Sequence, residues 1–312
     1  MCGIAGIIHR GGETGRIGEE ITEMLQAMKH RGPDSTGFAF YGEPRDGEVV
    51  LRLILAEQES VGRGFDIFER MKTRDATVKE RVEKLGGVVV GAEEPREYAR
   101  QYRITYGGEL RRLADYIEDI EGVKILSMGS RLELIKDLGD AREVSGQYQL
   151  DRFEGTHAIG HVRMATESDV DIRSAHPYWA YPFNDVCVVH NGQLTNYWSM
   201  RRDMERGGHR FVSDCDSELI AVYVADKLNR GESLEAALRD SIDDLDGVFT
   251  YLVATSDGLG MAKDTMAAKP MVLYESEKCI VIASEEVAIR SVVPYEVDTV
   301  DPYAGEVRVW QN

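Results

Sequence analysis

The chemistry of this chain is most legible at its second residue. A cysteine behind the initiator methionine is small enough for methionine removal, which would leave Cys2 with both a thiol and a free α-amine. An α-amine titrates at about 7.7–8.0, so near neutrality part of it is free to accept the thiol proton. Nucleophile and base then sit in one residue, the logic of an N-terminal nucleophile. On position alone, Cys2 reads as an ordinary small residue at a frayed terminus. The run CGIAGII argues against fraying, because it is an apolar strand that should be buried.

Four further segments carry reactive or gripping residue types. They are His30-Arg31-Gly32-Pro33-Asp34-Ser35-Thr36-Gly37, Gly160-His161-Val162-Arg163-Met164-Ala165-Thr166, His190-Asn191-Gly192, and Ser213-Asp214-Cys215-Asp216-Ser217-Glu218. Taken singly, each has a plain structural reading. Arg163 is then a strand-end charge, Asn191-Gly192 a favoured turn dipeptide, and Ser213, Asp214 or Asp216 a helix cap. Residues 31–34 read as a shaped turn with no catalytic role. His161 and His176 read as satisfied structural histidines, and Cys187 as core.

The elements that must position these residues are visible in the patterning. Strand-like segments run over 2–8, 36–41, 156–162, 185–190, 248–255, 279–283 and 305–309. Helical periodicity covers 17–28, 195–205, 217–228 and 234–245. Several strands follow one another directly, which favours a layered α+β architecture over a doubly wound sheet. The middle reads β-α-β-β-α-β over 48–55, 74–84, 87–90, 102–106, 110–120 and 123–127, the split pattern of a ferredoxin-like unit.

Composition bounds the rest. The chain has 312 residues, 43% hydrophobic and 29% charged, with a net charge of −18. That charge would repel nucleic acid and anionic membranes, so neither is an expected partner. No apolar run approaches the roughly 20 residues of a membrane helix. The N-terminus lacks a basic region and a small-residue cleavage site, so a cytoplasmic address is expected. Four scattered cysteines show no metal-ligand spacing, and no metal is expected.

Together with MCGIAGI, the four segments resemble the class II glutamine amidotransferases, whose nucleophile is an N-terminal cysteine. The segment from Lys263-Asp264 through Lys269-Pro270 to Ala283-Ser284-Glu285 resembles the later part of that family, so the likeness covers about 2–41 and 156–309. It implies a four-layer αββα N-terminal-nucleophile hydrolase sandwich. It further implies that Cys2 attacks the side-chain amide of L-glutamine while Asn191 and Gly192 supply the oxyanion donors. Arg163 and Thr166 would bind the α-carboxylate and Asp216 the α-ammonium. Met164 stands where the family more often has an aromatic, and Cys215 where threonine is frequent; neither removes a group that the mechanism needs.

The family's sequence is interrupted from Gly42 to about Gly155, which divides the chain into a glutaminase part, 2–45 and 151–312, and an inserted α+β unit, 46–150. The stretches 129–133 and 153–161 are similar to the stand-alone glutaminase subunits of archaeal-type glutamate synthase and N-methylglutamate synthase. That likeness implies a separate synthetase subunit carrying FMN and iron–sulfur clusters, with no cofactor in this chain. The likeness runs to within a few residues of Asn312, so the ammonia-using domain is expected on a partner. Two other readings stay open: an independent N-terminal-nucleophile amidase, and a non-catalytic regulatory subunit.

Overall fold

Strand β1 (Gly3–His9) alternates strictly in what it faces: Ile4 and Ile8 enter one apolar cluster, Ala5 and Ile7 another. A strand buried on both faces must lie inside a layered structure. The computed structural model describes residues 2–44, 47–56, 65–164, 172–183 and 185–312. In it, β1 is a central strand of a six-stranded antiparallel sheet. With β2 (Ser35–Tyr41), β7 (Leu132–Leu138), β8 (His157–Arg163), β13 (Val272–Glu275) and β14 (Cys279–Ala283), the order is β13-β14-β1-β8-β2-β7.

A second antiparallel sheet packs against it, in the order β15-β12-β11-β10-β9. Its strands are β9 (Tyr178–Trp179), β10 (Cys187–Leu194), β11 (Gly247–Thr255), β12 (Gly258–Lys263) and β15 (Val307–Gln311). Ile4, Ile8, Ile159, Val189 and Leu252 fill the space between the two sheets. Helices α1 (Ile17–Ala27), α4 (Ala141–Tyr148) and α8 (Glu286–Arg290) cover the outside of the first sheet. Helices α6 (Asp216–Asn229) and α7 (Leu234–Asp244) cover the second, with α5 (Tyr197–Arg206) beside α6. The layers are therefore αββα, as the resemblance implies.

A third sheet, β4-β5-β3-β6, is formed by β3 (Glu48–Ile54), β4 (Val88–Arg96), β5 (Ala99–Thr105) and β6 (Lys124–Gly129). Helices α2 (Phe65–Lys84) and α3 (Leu110–Glu118) pack on it through Val78, Val82, Leu113 and Ile117. All its neighbours are antiparallel, and in its own chain order the strands run 4-1-3-2 across the sheet, which is ferredoxin-like topology.

The expected boundary of the inserted unit, 46–150, reaches too far. Strand β7 pairs with β2 from Ser35↔Leu138 to Tyr41↔Leu132, and α4 lies against α1, so both belong to the large sandwich. The physical reason is burial: Leu134 of β7 faces the space between the large sheets and Ile135 faces α1 and α4.

Candidate active site

The first strand begins one residue after Cys2, and Ser284 fastens its start. The Ser284 N–H donates to the Ile4 carbonyl at 2.9 Å, and the Ile4 N–H donates to Ser284 Oγ at 3.0 Å. Cys2 is half-buried. Its carbonyl accepts from Arg31 Nε and from Asn191 Nδ2, both at 3.0 Å, so the Cys2 backbone is gripped from two sides. Arg31 is itself held by Glu285 at 2.5 Å, and His30 reaches the same carboxylate at 2.9 Å. Burial pushes the Glu285 carboxyl up, but Arg31 and His30 outweigh it and keep the group below the ordinary carboxylate range. Met1 lies outside the described residues.

Asn191 and Gly192 are not in a turn. They sit inside β10, paired Asn191↔Thr250 and Gly192↔Phe249 with β11. Gly192 has φ 151°, and a Cβ there would lie 2.1 Å from the Val248 carbonyl oxygen. Only glycine fits, and its backbone is thereby presented to the cavity. A carboxamide has two N–H donors, so Asn191 can hold the Cys2 carbonyl and still offer the second.

Arg163 closes β8 opposite Ser35 and is buried. Residues 31–34 cross directly over it: the Asp34 N–H donates to the Arg163 carbonyl at 3.1 Å, and a Cβ at Gly32 would lie 2.4 Å from its carbonyl carbon. Asp216 is the first residue of α6, where the helix dipole favours an anion. Its side chain does not cap that helix. It accepts instead from the Leu194 N–H at 2.9 Å and lies 3.5 Å from His190 Nδ1. Burial raises the Asp216 carboxyl, but His190 and the Leu194 N–H outweigh it and the net shift is downward. Thr166 lies outside the described residues.

Cys2, Arg163, Asn191, Gly192 and Asp216 line one cavity of about 570 Å³. His161, His176 and His190 line it too. The His161 and His176 rings stack 4.1 Å apart, His190 Nδ1 lies 3.0 Å from Ser217 Oγ, and the His190 N–H donates to His176 Nδ1 at 3.4 Å. Neither ring nitrogen of His161 makes a hydrogen bond of ordinary geometry to a described residue, although the His190 backbone interacts with the ring. Burial, followed by the Arg163 charge, pulls its pKa down to about 3, so the ring is neutral. Two cavity walls are held from behind. Lys136 donates to the carbonyls of Ala175 at 2.7 Å and Arg173 at 3.3 Å. Glu218 accepts from the N–H groups of Val212 and Ser213 at 2.8 and 2.7 Å.

The cavity thus presents a thiol, amide donors, a guanidinium and a carboxylate. That set suits a small molecule bearing a carboxylate, an ammonium and a cleavable carbonyl. Arg31 and Glu285 do not line the cavity but hold the Cys2 backbone beside it, an unanticipated role, although both stand in segments that the sequence singles out. Cys187 is core: burial pushes its thiol up to about 12. Among the described residues no group of three or more His, Cys, Asp or Glu side chains stands close enough to hold a metal ion. Among the same residues no helix is long and apolar enough to cross a membrane.

Residues 161–291 match the family described as a glutamine amidotransferase domain. The chain is 41% identical to a protein of Methanothermobacter thermautotrophicus provisionally named a glutamine amidotransferase, over 100% of both chains. It is 32% identical to the glutamine amidotransferase-like protein GlxB of Rhizobium meliloti, over 100% of this chain and 99% of that one. A solved structure titled as the allosteric regulatory enzyme of purine biosynthesis superposes with a TM-score of 0.63 at 18% identity, covering 100% of this chain and 47% of that one; at such identity the likeness shows the fold alone. With sequence relatives matched over their whole length and a cysteine at residue 2 beside the shared cavity, the chain belongs to the class II glutamine amidotransferases, enzymes that hydrolyse glutamine.

Proposed function

We propose that the cavity binds L-glutamine and hydrolyses its side-chain amide, and that the ammonia passes to a separate synthetase subunit. The observation that carries this reading is the meeting of Cys2, Asn191, Gly192, Arg163 and Asp216 in one cavity. The planar guanidinium of Arg163 suits the α-carboxylate, and Asp216 suits the α-ammonium. Thr166 would add a hydroxyl to the carboxylate. The Cys2 α-amine takes the thiol proton, and the sulfur attacks the amide carbon. The oxyanion that forms is met by the second N–H of Asn191 and the Gly192 N–H, a donor of this kind contributing roughly 3–4 kcal/mol. The tetrahedral intermediate collapses, the α-amine returns its proton to the leaving nitrogen, and ammonia departs. Water then hydrolyses the γ-glutamyl thioester to glutamate.

The acceptor reading rests on the likeness of 129–133 and 153–161 to glutaminase subunits of glutamate synthase-type complexes. It puts FMN and iron–sulfur clusters on the partner and none on this chain, and it places the complex in the cytoplasm. The inserted unit would dock that partner and help gate hydrolysis.

The test is glutamate release from L-glutamine by the wild type and by Cys2→Ala, with simple acyl amides as competing substrates. Release from glutamine alone, lost in Cys2→Ala, supports the reading. Undiminished release by the variant overturns the mechanism, and equal turnover of simple amides makes the protein a general amidase. Deleting the inserted unit without loss of partner binding would remove its docking role.

A further inference from the structure

Two stretches wall the cavity in addition to the Cys2 region. One leads through His176 and Tyr178 of β9 to Tyr181; the other runs through Val212, Ser213 and Asp214 to Asp216. Neither stretch is held only by the sandwich. Asp115, on helix α3 of the inserted unit, reaches both. Its Oδ1 accepts from the Tyr181 hydroxyl at 2.7 Å and from Arg210 Nη1 at 3.3 Å. Arg210 Nη2 continues to Asp119 Oδ1 at 2.9 Å, and Arg111 of the same helix bonds the Gly208 carbonyl.

From those anchors the connection to the cavity is short. Tyr181 lies three residues beyond Tyr178, whose ring stands edge-on to His176 at 5.0 Å. Arg210 lies two residues before Val212, which Glu218 holds by its N–H. Arg201 fastens the same loop, donating to the Ser213 carbonyl at 2.7 Å and to Asp214 Oδ1 at 2.9 Å. A second contact runs in parallel. Glu118 of α3 bonds Lys124 at 2.5 Å and the Ile125 N–H at 2.9 Å, tying the helix to β6. Ile125 then shares with Tyr178, Val212 and Ser213 the lining of a cavity of about 40 Å³.

We infer that the inserted unit sets how tightly the cavity holds glutamine, with Asp115 as the positioning residue that ties both walls to α3. This rests on the reading of the cavity as a glutamine site and adds a route by which a separate unit acts on it. Asp115 touches no substrate; it acts through Tyr181 and Arg210. Because coupling is reciprocal, glutamine closing the walls must also be felt in α3.

The experiment uses the full chain. Asp115→Asn keeps the shape but weakens the hold on Arg210, Arg210→Ala removes the same bond from the other side, and Asp115→Glu restores the charge. The expected result is a KM for glutamine raised by about fivefold or more in the first two variants and partly recovered in the third. The kcat should stay within about twofold, as for a change in ground-state binding. Glutamine should also slow backbone amide exchange across 110–119 in the wild type, and Asp115→Asn should abolish that protection. Unchanged KM in both variants, or exchange in 110–119 that is blind to glutamine in the wild type, overturns the inference. The exchange measurement needs binding alone, so it decides the point even if a variant folds poorly. Failure of the wild type to bind or hydrolyse glutamine would instead sink the reading of the cavity.

Discussion

The cavity and the inserted unit treat buried polar groups in opposite ways. In and around the inserted unit most such groups are paired: Tyr102 with Asp75, Arg52 with Glu133 at 2.5 Å, and Glu118 with Lys124 and the Ile125 N–H; Arg100 Nε makes no hydrogen bond to a described residue but stands 3.4 Å from the Asp75 carboxylate. Where this unit meets the large sandwich, the fully buried Asp137 accepts from the hydroxyls of Tyr98 and Tyr148. Around the cavity, by contrast, Nε2 of His190 lacks a hydrogen-bond partner among the described residues, and His161 and the Tyr178 hydroxyl reach the His190 backbone and Cys215 only outside ordinary hydrogen-bond geometry. An unsatisfied buried polar group costs about 1–3 kcal/mol. A fold concentrates such groups where a ligand or water completes them, so the contrast marks which region is built for binding and which for support.

The sharpest test of that division is Asn191→Ala. We expect glutamate release to fall by about 100–1000-fold in kcat with the fold intact. A variant that unfolds instead would move Asn191 to the supporting side. Arg163→Lys comes next. It keeps the charge but loses the fork, and a charged hydrogen bond contributes about 1.5–3 kcal/mol, so KM for glutamine should rise by about tenfold or more.

Acid probes the neutral histidines as a group. Burial pulls His161 down to about 3 and His157 to about 4, both from 6.5. The folded state refuses protons that the unfolded chain accepts, so stability is full above pH 6.5 and is lost as the pH falls toward those values. Each such group removes at most about 1.4 kcal/mol per pH unit over that window. Melting midpoints at pH 7, 6 and 5 should fall progressively, and a flat profile would contradict neutral rings at His161, which lines the cavity, and at His157, which does not. The smallest effect belongs to the support. Tyr98→Phe removes one of two hydroxyls from Asp137 and should cost about 1 kcal/mol in denaturant unfolding while leaving glutamine hydrolysis unchanged.

Much of the architecture was open to reading because it is written in short periods. Short apolar runs in 2–8 and 279–283 and helical spacing in 17–28 recover β1, β14 and α1 nearly to their ends. The β-α-β-β-α-β order gives the third sheet, because that succession of elements has few compact solutions. Strand β7 and helix α4 escaped notice. For α4 a signal was present, since Asp140 and Glu143 form a reciprocal capping box at its start. For β7, Leu-Glu-Leu-Ile-Lys-Asp-Leu mixes apolar and charged residues without strict alternation, and Glu133, Lys136 and Asp137 are buried, so exposure could not be inferred from polarity.

The site divides along the same line. The family and the residue types that meet in the cavity were available from the chain, because reactive chemistry belongs to residue type and local spacing. Which atoms meet was not. Asn191-Gly192 is a turn by composition and a strand in the molecule, because pairing with Thr250 and Phe249 outweighs local preference. Arg31 reads as part of a turn, yet the sheet places its guanidinium on the Cys2 carbonyl. Asp115 is one more acidic residue on a helix until the inserted unit packs it against Tyr181 and Arg210. Register and burial decide such contacts, and both arise only once distant parts of the chain exclude water together.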